Sequence, residues 1–161
     1  MTTASPSPDA HPHAAQAREA KRREAEAIGI DEGFISDMVE GFYATIRADE
    51  MLGPVFAERI ADWPAHLYRM KQFWRSILHN SGEFSGNPMA RHIAIPGLER
   101  DHFVRWLELF YANLRATAHD PRAPELVGMR ARMIAESMLT GIRIKREGIA
   151  GAIKKEELPH V

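Results

Sequence analysis

The chain has 161 residues, of which 45% are apolar and 27% are charged, and its formal net charge is −1. That length suits one domain with a real core, and the near-neutral charge argues against a nucleic-acid partner or an anionic membrane surface. Cysteine is absent, which excludes disulfides, thiolate catalysis, iron–sulfur ligation and cysteine-rich zinc sites. No apolar run approaches a bilayer span and no signal core opens the chain, so the sequence predicts a cytoplasmic protein without membrane attachment.

The N-terminal segment, residues 1–30, is predicted to lie outside the core. Residues 1–14 contain three prolines and show no periodicity, which is typical of disorder. Residues 15–28 (AQAREAKRREAEAI) are strong helix formers with almost no apolar face, so we expect a solvated helix or a docking arm. We therefore assign the core domain to residues 31–145 and expect residues 146–161 to form a loose C-terminal tail.

Four longer helices are predicted in chain order. The first begins after Asp31, a good N-cap residue, and ends near Asp49. The second runs over residues 61–78, and the third begins near Arg100. The fourth covers residues 127–142. Residues that follow the helical period on the first helix are Phe34, Ile35, Met38, Val39, Phe42, Tyr43 and Ile46.

Shorter elements separate these helices. Residues 51–56 form a tight corner, because a Gly-Pro pair breaks the helix there. The loop-rich stretch 80–98 contains a short helical turn, with Asn87 as its cap, Pro88 in its first turn and His92 near its end. No segment alternates with the period of a strand, so the sequence predicts an all-α fold.

The sequence gives little support to a metal site built from several protein ligands. No two core histidines lie three or four residues apart, and the zinc-binding His-Glu-x-x-His pattern is absent. Glu99-x-x-His102 has the spacing of a di-iron bundle, but its only counterpart, Glu157-x-x-His160, lies in the tail. Glu99 and His102 are more simply explained as residues at a helix start. The chain also lacks a glycine-rich phosphate loop and a Gly-x-Ser-x-Gly elbow.

Three polar side chains lie on otherwise apolar helix faces. Tyr43, His66 and Trp106 each belong to a different predicted helix. Each alone could be a core residue whose polar atom meets a backbone carbonyl, and His92 alone could be a solvated loop histidine. Together they describe an apolar slot with one imidazole on one side and O–H and N–H donors on the other. Haem iron that binds a diatomic ligand requires such an arrangement.

Short motifs occur in a fixed order along these elements: Phe42-Tyr43, Leu52-Gly-Pro-Val-Phe56, Trp63-x-x-His66, Phe73-Trp74, Gly86-x-Pro88-x-x-x-His92, Pro96, Trp106-Leu-x-Leu-Phe110 and Ala135-Glu-Ser. The series spans about residues 34–142 and resembles the group III truncated haemoglobins of bacteria. The resemblance implies a truncated globin, which is a two-over-two helical sandwich with a short proximal helix, and a noncovalent haem b. Two features depart from the family: Phe84 stands where Tyr is frequent, and the N-terminal arm is longer.

The resemblance also implies roles for individual residues. His92 matches the proximal iron ligand, Phe56 an aromatic that packs on the porphyrin, and Arg69 a basic residue that can pair with a haem propionate. The matched distal polar residues are Tyr43, His66 and Trp106. The expected pocket walls are Met70, Phe73, Trp74, Met89, Ile95 and Phe103.

The function implied is the binding of dioxygen and other diatomic ligands at iron ligated by His92. Polar distal donors slow ligand release, which favours sensing, redox or detoxification chemistry over oxygen delivery. Two alternatives stay open: a peroxidase-like or nitric-oxide dioxygenase enzyme with an unidentified reductase, and a haem-free helical interaction module that docks through residues 15–28. His66 could also swing out or coordinate iron when no ligand is bound, and the sequence does not decide between these states.

Overall fold

The structure, a computed structural model, consists of helices joined by short loops. It describes residues 10–153 and 157–161, except for the side chains of residues 10, 11, 89, 93, 152 and 153. The helices are α1 (Ala10–Ala27), α2 (Glu32–Ala48), α3 (Gly53–Arg59), α4 (Trp63–Leu78), α5 (Pro88–Ile93), α6 (Arg100–Thr117), α7 (Arg122–Glu147) and α8 (Ala150–Ile153). The described part contains no strand, which confirms the all-α fold, and none of its helices is long and apolar enough to cross a membrane.

Local capping explains where the long helices begin. Asp31 caps α2 as predicted, since its carboxylate accepts a hydrogen bond from the backbone N–H of Phe34 at 2.7 Å. The next long helix, α4, begins two residues later than predicted. Asp62 caps it through the N–H of Ala65, at 3.1 Å, and Pro64 fits the first turn because no intrahelical partner exists there for an N–H.

The corner after α2 is more ordered than predicted. The Gly-Pro pair does break the chain direction, but it also opens the short helix α3, with Pro54 in the first turn. A Cβ at Gly53 would lie 2.9 Å from the carbonyl oxygen of Arg47. The close approach of α3 to the end of α2 therefore requires glycine at this position.

Two helix pairs, α2 with α4 and α6 with α7, form the core. Helix α2 also packs on α6, and the short α5 lies against α7. All seven residues predicted for the apolar face of α2 are buried. Phe42 lies at the centre of an aromatic cluster, with its ring 5.4 Å from Trp106 and 5.0 Å from Phe110 in edge-on contacts.

The N-terminal arm is helical from Ala10, so the predicted disorder is wrong for residues 10–14, while residues 1–9 lie outside the described part. Most of α1 is exposed, as expected for a solvated helix. Its end is nevertheless attached to the domain. Ala25 and Ile30 are buried, and Nε2 of the buried His79 lies 2.6 Å from the carbonyl oxygen of Ile30.

The C-terminal residues do not form the loose tail that we expected. Leu158 is only 1% exposed. The Tyr111 hydroxyl donates a hydrogen bond to the carbonyl oxygen of Pro159 at 2.6 Å. Val161 packs so closely against α7 that a Cβ at Gly128 would lie 2.7 Å from its Cβ. Residues 157–161 are therefore part of the packed structure.

Candidate functional site

A cavity of about 400 Å³ lies among α3, α4, α5, α6 and α7. This volume is in the range of cofactor sites. The lining residues are Leu52, Val55, Phe56, Arg59, Ile60, His66, Arg69, Arg91, His92, Ala94, Ile95, Leu98, His102, Phe103, Trp106, Ala135 and Met138. The walls are mainly apolar, and none of these lining residues is Asp or Glu.

His92 enters this cavity from α5, whose short length makes its capping important. Asn87 caps the helix by accepting a hydrogen bond from the N–H of Ala90 at 3.1 Å, and Pro88 occupies the first turn, as the sequence predicts. The His92 Nδ1 lies 2.6 Å from the carbonyl oxygen of Pro88. Because a carbonyl can only accept, Nδ1 carries the proton and Nε2 retains a lone pair. The imidazole is thus held in the tautomer that can ligate a metal through Nε2.

His66 lines the cavity from α4, and its Nε2 is a buried polar atom without a hydrogen-bond partner among the described residues. Burial, together with the nearby positive charges of Arg69 and Arg91, lowers the pKa of His66 to about 4. The ring is therefore neutral at physiological pH. Buried polar atoms normally have partners, so an unpaired one beside a cavity indicates a site for a guest.

Tyr43 is not itself a lining residue of the cavity, but it contacts two side chains that are. Its ring contacts His66 at a centroid distance of 5.0 Å and Phe56 at 5.9 Å, and both of those residues line the cavity. Burial raises the pKa of the Tyr43 phenol above its ordinary value, so the hydroxyl keeps its proton. Within the described part of the chain, this hydroxyl makes no hydrogen bond.

Trp106 reaches the cavity from α6. Its ring stacks on Phe110, with centroids 5.2 Å apart and planes at 10°, and it meets Phe42 edge to face. Among the described residues its indole N–H has no hydrogen-bond partner either. Aromatic packing therefore supports the indole ring, while its N–H remains available to a guest.

Three arginines give the cavity a cationic rim: Arg59, Arg69 and Arg91. All three are exposed, and none forms an ion pair with a carboxylate in the part of the chain that the structure describes. Sequence reasoning singled out only Arg69. Arg59 and Arg91 were missed because an arginine that faces solvent at a helix end carries no distinctive pattern. His102 also lines the cavity, and its Nδ1 accepts the backbone N–H of Glu99 at 3.1 Å, consistent with its expected place at a helix start.

The remaining expected wall residues lie in different parts of the structure. Phe56, Ile95 and Phe103 line the cavity. Met70 packs against the core, and Trp74 is buried in a stack with Phe110. Phe73 lines a second groove, of about 330 Å³, that shares Met138 with the cavity. The side chain of Met89 lies outside the described residues. Phe73 lies two turns beyond His66, about 10 Å along the axis of α4.

Multi-ligand metal binding has no support in the described residues, among which no group of three or more His, Asp or Glu side chains comes together. What the structure does bring together is one metal-ready imidazole, an apolar cavity, unpaired donors and a cationic rim. An apolar body that carries anionic groups and accepts one axial nitrogen ligand fits this donor set. The fold and the site together define a protein of the globin class.

Comparison with known proteins specifies this class further. The chain is 30% identical to the group 3 truncated hemoglobin ctb of Campylobacter jejuni over 110 residues, which cover 66% of this chain and 86% of that protein. A crystal structure of a group III truncated hemoglobin from the same species superposes with a TM-score of 0.66 at 28% identity, covering 70% of this chain and 91% of the other. No protein-family model matches the chain. The chain belongs to the group III truncated haemoglobins, and haem and ligand binding follow from that family.

Proposed function

We propose that the cavity holds a noncovalent haem b and that the protein binds dioxygen and other diatomic ligands there. When bound, the haem supplies an iron centre that takes such a ligand. The observation that carries the proposal is the pairing of a cavity-lining imidazole that keeps a lone pair, His92, with an unpaired buried nitrogen on another helix, His66. The absence of cysteine excludes thioether attachment through a Cys-x-x-Cys-His motif.

The charge pattern supports the same guest. Arg59, Arg69 and Arg91 surround apolar walls and lack carboxylate partners among the described residues. Haem is a flat apolar group with two carboxylates at one edge, so it would bury its body against the walls and place its propionates near the guanidinium groups. We assign the propionate contact to Arg69, with Arg91 and Arg59 as additional candidates.

His92 is the proposed iron ligand, and Pro88 sets its chemistry. The hydrogen bond from Nδ1–H to the Pro88 carbonyl fixes the ring orientation and increases the basicity of Nε2. Because both groups belong to the same short helix, α5 both holds the ligand and determines its tautomer.

The distal residues control how long a ligand stays. Tyr43 and Trp106 can donate hydrogen bonds to a partly negative diatomic ligand, and neutral His66 can donate or accept. Each such bond is worth about 1 kcal/mol, so two or three of them slow release by on the order of 100-fold. Slow release suits sensing, redox or detoxification chemistry rather than oxygen delivery.

A second candidate function is catalytic, either peroxidase-like or nitric-oxide dioxygenation with an unidentified reductase. The unpaired Nε2 of His66 favours this function, because it is available for proton transfer next to the donors Tyr43 and Trp106. Turnover of peroxide, or of nitric oxide with a reductant, above the rate of free haem would support it.

The absorption spectrum of the purified protein tests the main proposal. We expect a Soret band in the parent that shifts with dithionite and carbon monoxide, and its loss or marked alteration in His92→Ala. His119→Ala is the matched control, because His119 is exposed and does not line the cavity. A colourless parent protein that takes up no added haem would refute the proposal and favour a haem-free interaction module.

A further inference from the structure

A carboxylate with both oxygens hydrogen-bonded belongs to Asp49, which follows the end of α2. Its side chain is only 7% exposed. One oxygen, Oδ1, accepts hydrogen bonds from Nε and Nη2 of Arg105 at 2.9 and 2.7 Å. The other, Oδ2, accepts the backbone N–H groups of Met51 and Leu52 at 3.2 and 2.9 Å. Four donors thus converge on one carboxylate.

The Asp49 carboxylate and its donors connect three elements next to the distal side of the cavity, which α4 completes with His66. Asp49 terminates α2, which carries Tyr43. The N–H groups of Met51 and Leu52 lead into α3, which carries Phe56. Arg105 lies on α6, immediately before Trp106. The Asp49–Arg105 pair is therefore the point at which all three elements are joined by directional bonds.

Apolar packing alone does not specify this arrangement. Between α2 and α6 the contacts on this side are aromatic, such as Phe42 against Trp106. Such contacts set the separation of the helices, but they are weakly directional along the helix axis. A charge-assisted pair in which two guanidinium nitrogens donate to one carboxylate oxygen constrains both distance and orientation. Arg105 directly precedes Trp106 on α6, so the backbone that the ion pair holds is also the backbone that carries the indole.

We propose that Asp49 and Arg105 are positioning residues of the distal pocket, whose ion pair fixes Trp106 on α6 relative to Tyr43 on α2. This inference rests on the proposed function, because Tyr43 and Trp106 are there the donors to the bound ligand. The Asp49–Arg105 pair, which does not itself line the cavity, thereby sets the geometry of these two donors.

The decisive variant is Arg105→Lys, which keeps the positive charge but removes the two-point contact with Asp49. In the carbon monoxide complex we expect the C–O stretching band to shift or split, because the donors no longer hold one geometry. We also expect dioxygen to dissociate about two-fold faster, which is less than the effect of losing one full hydrogen bond.

Arg122→Lys is a matched control for this variant. Arg122 also donates from two nitrogens to one carboxylate, that of Asp120, through Nε to Oδ1 at 3.1 Å and Nη2 to Oδ2 at 2.7 Å, and neither residue lines the cavity. The control should leave the C–O band and the dissociation rate unchanged. If Arg105→Lys behaves like Arg122→Lys, or lowers the melting temperature with an unaltered band, the pair is structural only and the inference is wrong.

Two further measurements keep the test decisive. If Arg105→Lys does not fold, Asp49→Asn replaces it, since the amide oxygen can still accept from the N–H of Leu52 while the charge is lost. If the parent binds no haem, the proposed function fails, and the indole ¹⁵N–¹H signal of Trp106 in the haem-free protein tests positioning separately. That signal, identified by its loss in Trp106→Phe, should move in Arg105→Lys and not in Arg122→Lys; an unmoved signal overturns the inference.

Discussion

The imidazole of His66 meets the phenol ring of Tyr43 edge to face, with ring centroids 5.0 Å apart and planes at 89°. The two residues come from α4 and α2, and neither the Tyr43 hydroxyl nor His66 Nε2 has a hydrogen-bond partner in the described part of the chain. Trp63 contacts both rings, with its centroid 5.7 Å from His66 and 6.1 Å from Tyr43. The rings thus hold each other in place while their polar atoms stay free, so substitutions at the two positions are expected to be coupled.

Removing the Tyr43 hydroxyl tests the role of the distal donors. We expect Tyr43→Phe to accelerate dioxygen dissociation about five-fold, because one hydrogen bond to the ligand, worth about 1 kcal/mol, is lost while the ring packing remains. Trp106→Phe should act in the same direction. Stopped-flow displacement of dioxygen by carbon monoxide measures both rates.

The matched control for that experiment is Tyr111→Phe. Its hydroxyl donates to Pro159 in the C-terminal segment, and the residue does not line the cavity. We expect a loss of about 1 kcal/mol in the free energy of unfolding and an unchanged dissociation rate. Unchanged rates in both Tyr43→Phe and Trp106→Phe would show that the distal donors do not hold the ligand.

The arginine rim predicts how tightly haem is retained. Arg69→Gln and Arg91→Gln each remove a cation that we expect to contact a propionate, so haem should transfer several-fold faster to excess apomyoglobin, and salt should weaken the difference from the parent. Arg115→Gln is the control, since Arg115 is exposed on α6 and does not line the cavity. Equal transfer rates for all three variants and the parent would exclude the propionate contacts.

The sequence predicts the fold well where one helix face is buried. On α2 the predicted row matches the buried residues because the other face meets solvent, so the apolar period is unambiguous. The start of α5 was predictable for a different reason: Asn87 and Pro88 act through local bonds that depend on no distant residue. Both kinds of signal are short-range.

Which residues line the cavity depends on distances between helices, and the apolar period of a single helix carries no information about those distances. Phe73 continues the row of His66 on α4, yet it lies in the second groove, because the row passes the end of the cavity. The packing of Leu158 against the domain was also unpredictable, since five residues without helical period give no pattern to interpret. A solvated arginine such as Arg91 looks the same in sequence whether or not a cavity opens beside it.

The low pKa of His66 predicts a pH dependence of stability in the haem-free protein. The pKa of about 4 in the folded state lies below the ordinary value of 6.5, because of burial and the positive charges of Arg69 and Arg91. Between these values the unfolded chain binds a proton that the folded protein does not, so stability falls as pH drops from 6.5 towards 4. The slope from this group is at most about 1.4 kcal/mol per pH unit.

Urea unfolding of the haem-free protein between pH 4 and pH 7 measures this dependence. His66→Gln removes the titrating group and keeps a polar side chain of similar reach, so its stability should depend less on pH over that interval. Identical pH profiles for the parent and His66→Gln would show that His66 is not held neutral by its surroundings.

Loss of the α5 cap separates local from global stability. In Asn87→Ala the N–H of Ala90 loses its acceptor, which costs about 1 kcal/mol in the stability of a helix only six residues long. Because α5 carries both His92 and the Pro88 carbonyl that fixes its tautomer, haem should dissociate faster.

Asp31→Ala removes an equivalent bond, from the N–H of Phe34, at the start of the much longer α2. We expect a similar loss in unfolding free energy there but no change in haem release. Faster release in both variants would mean that haem retention follows overall stability, and that the local order of α5 does not control the proximal ligand.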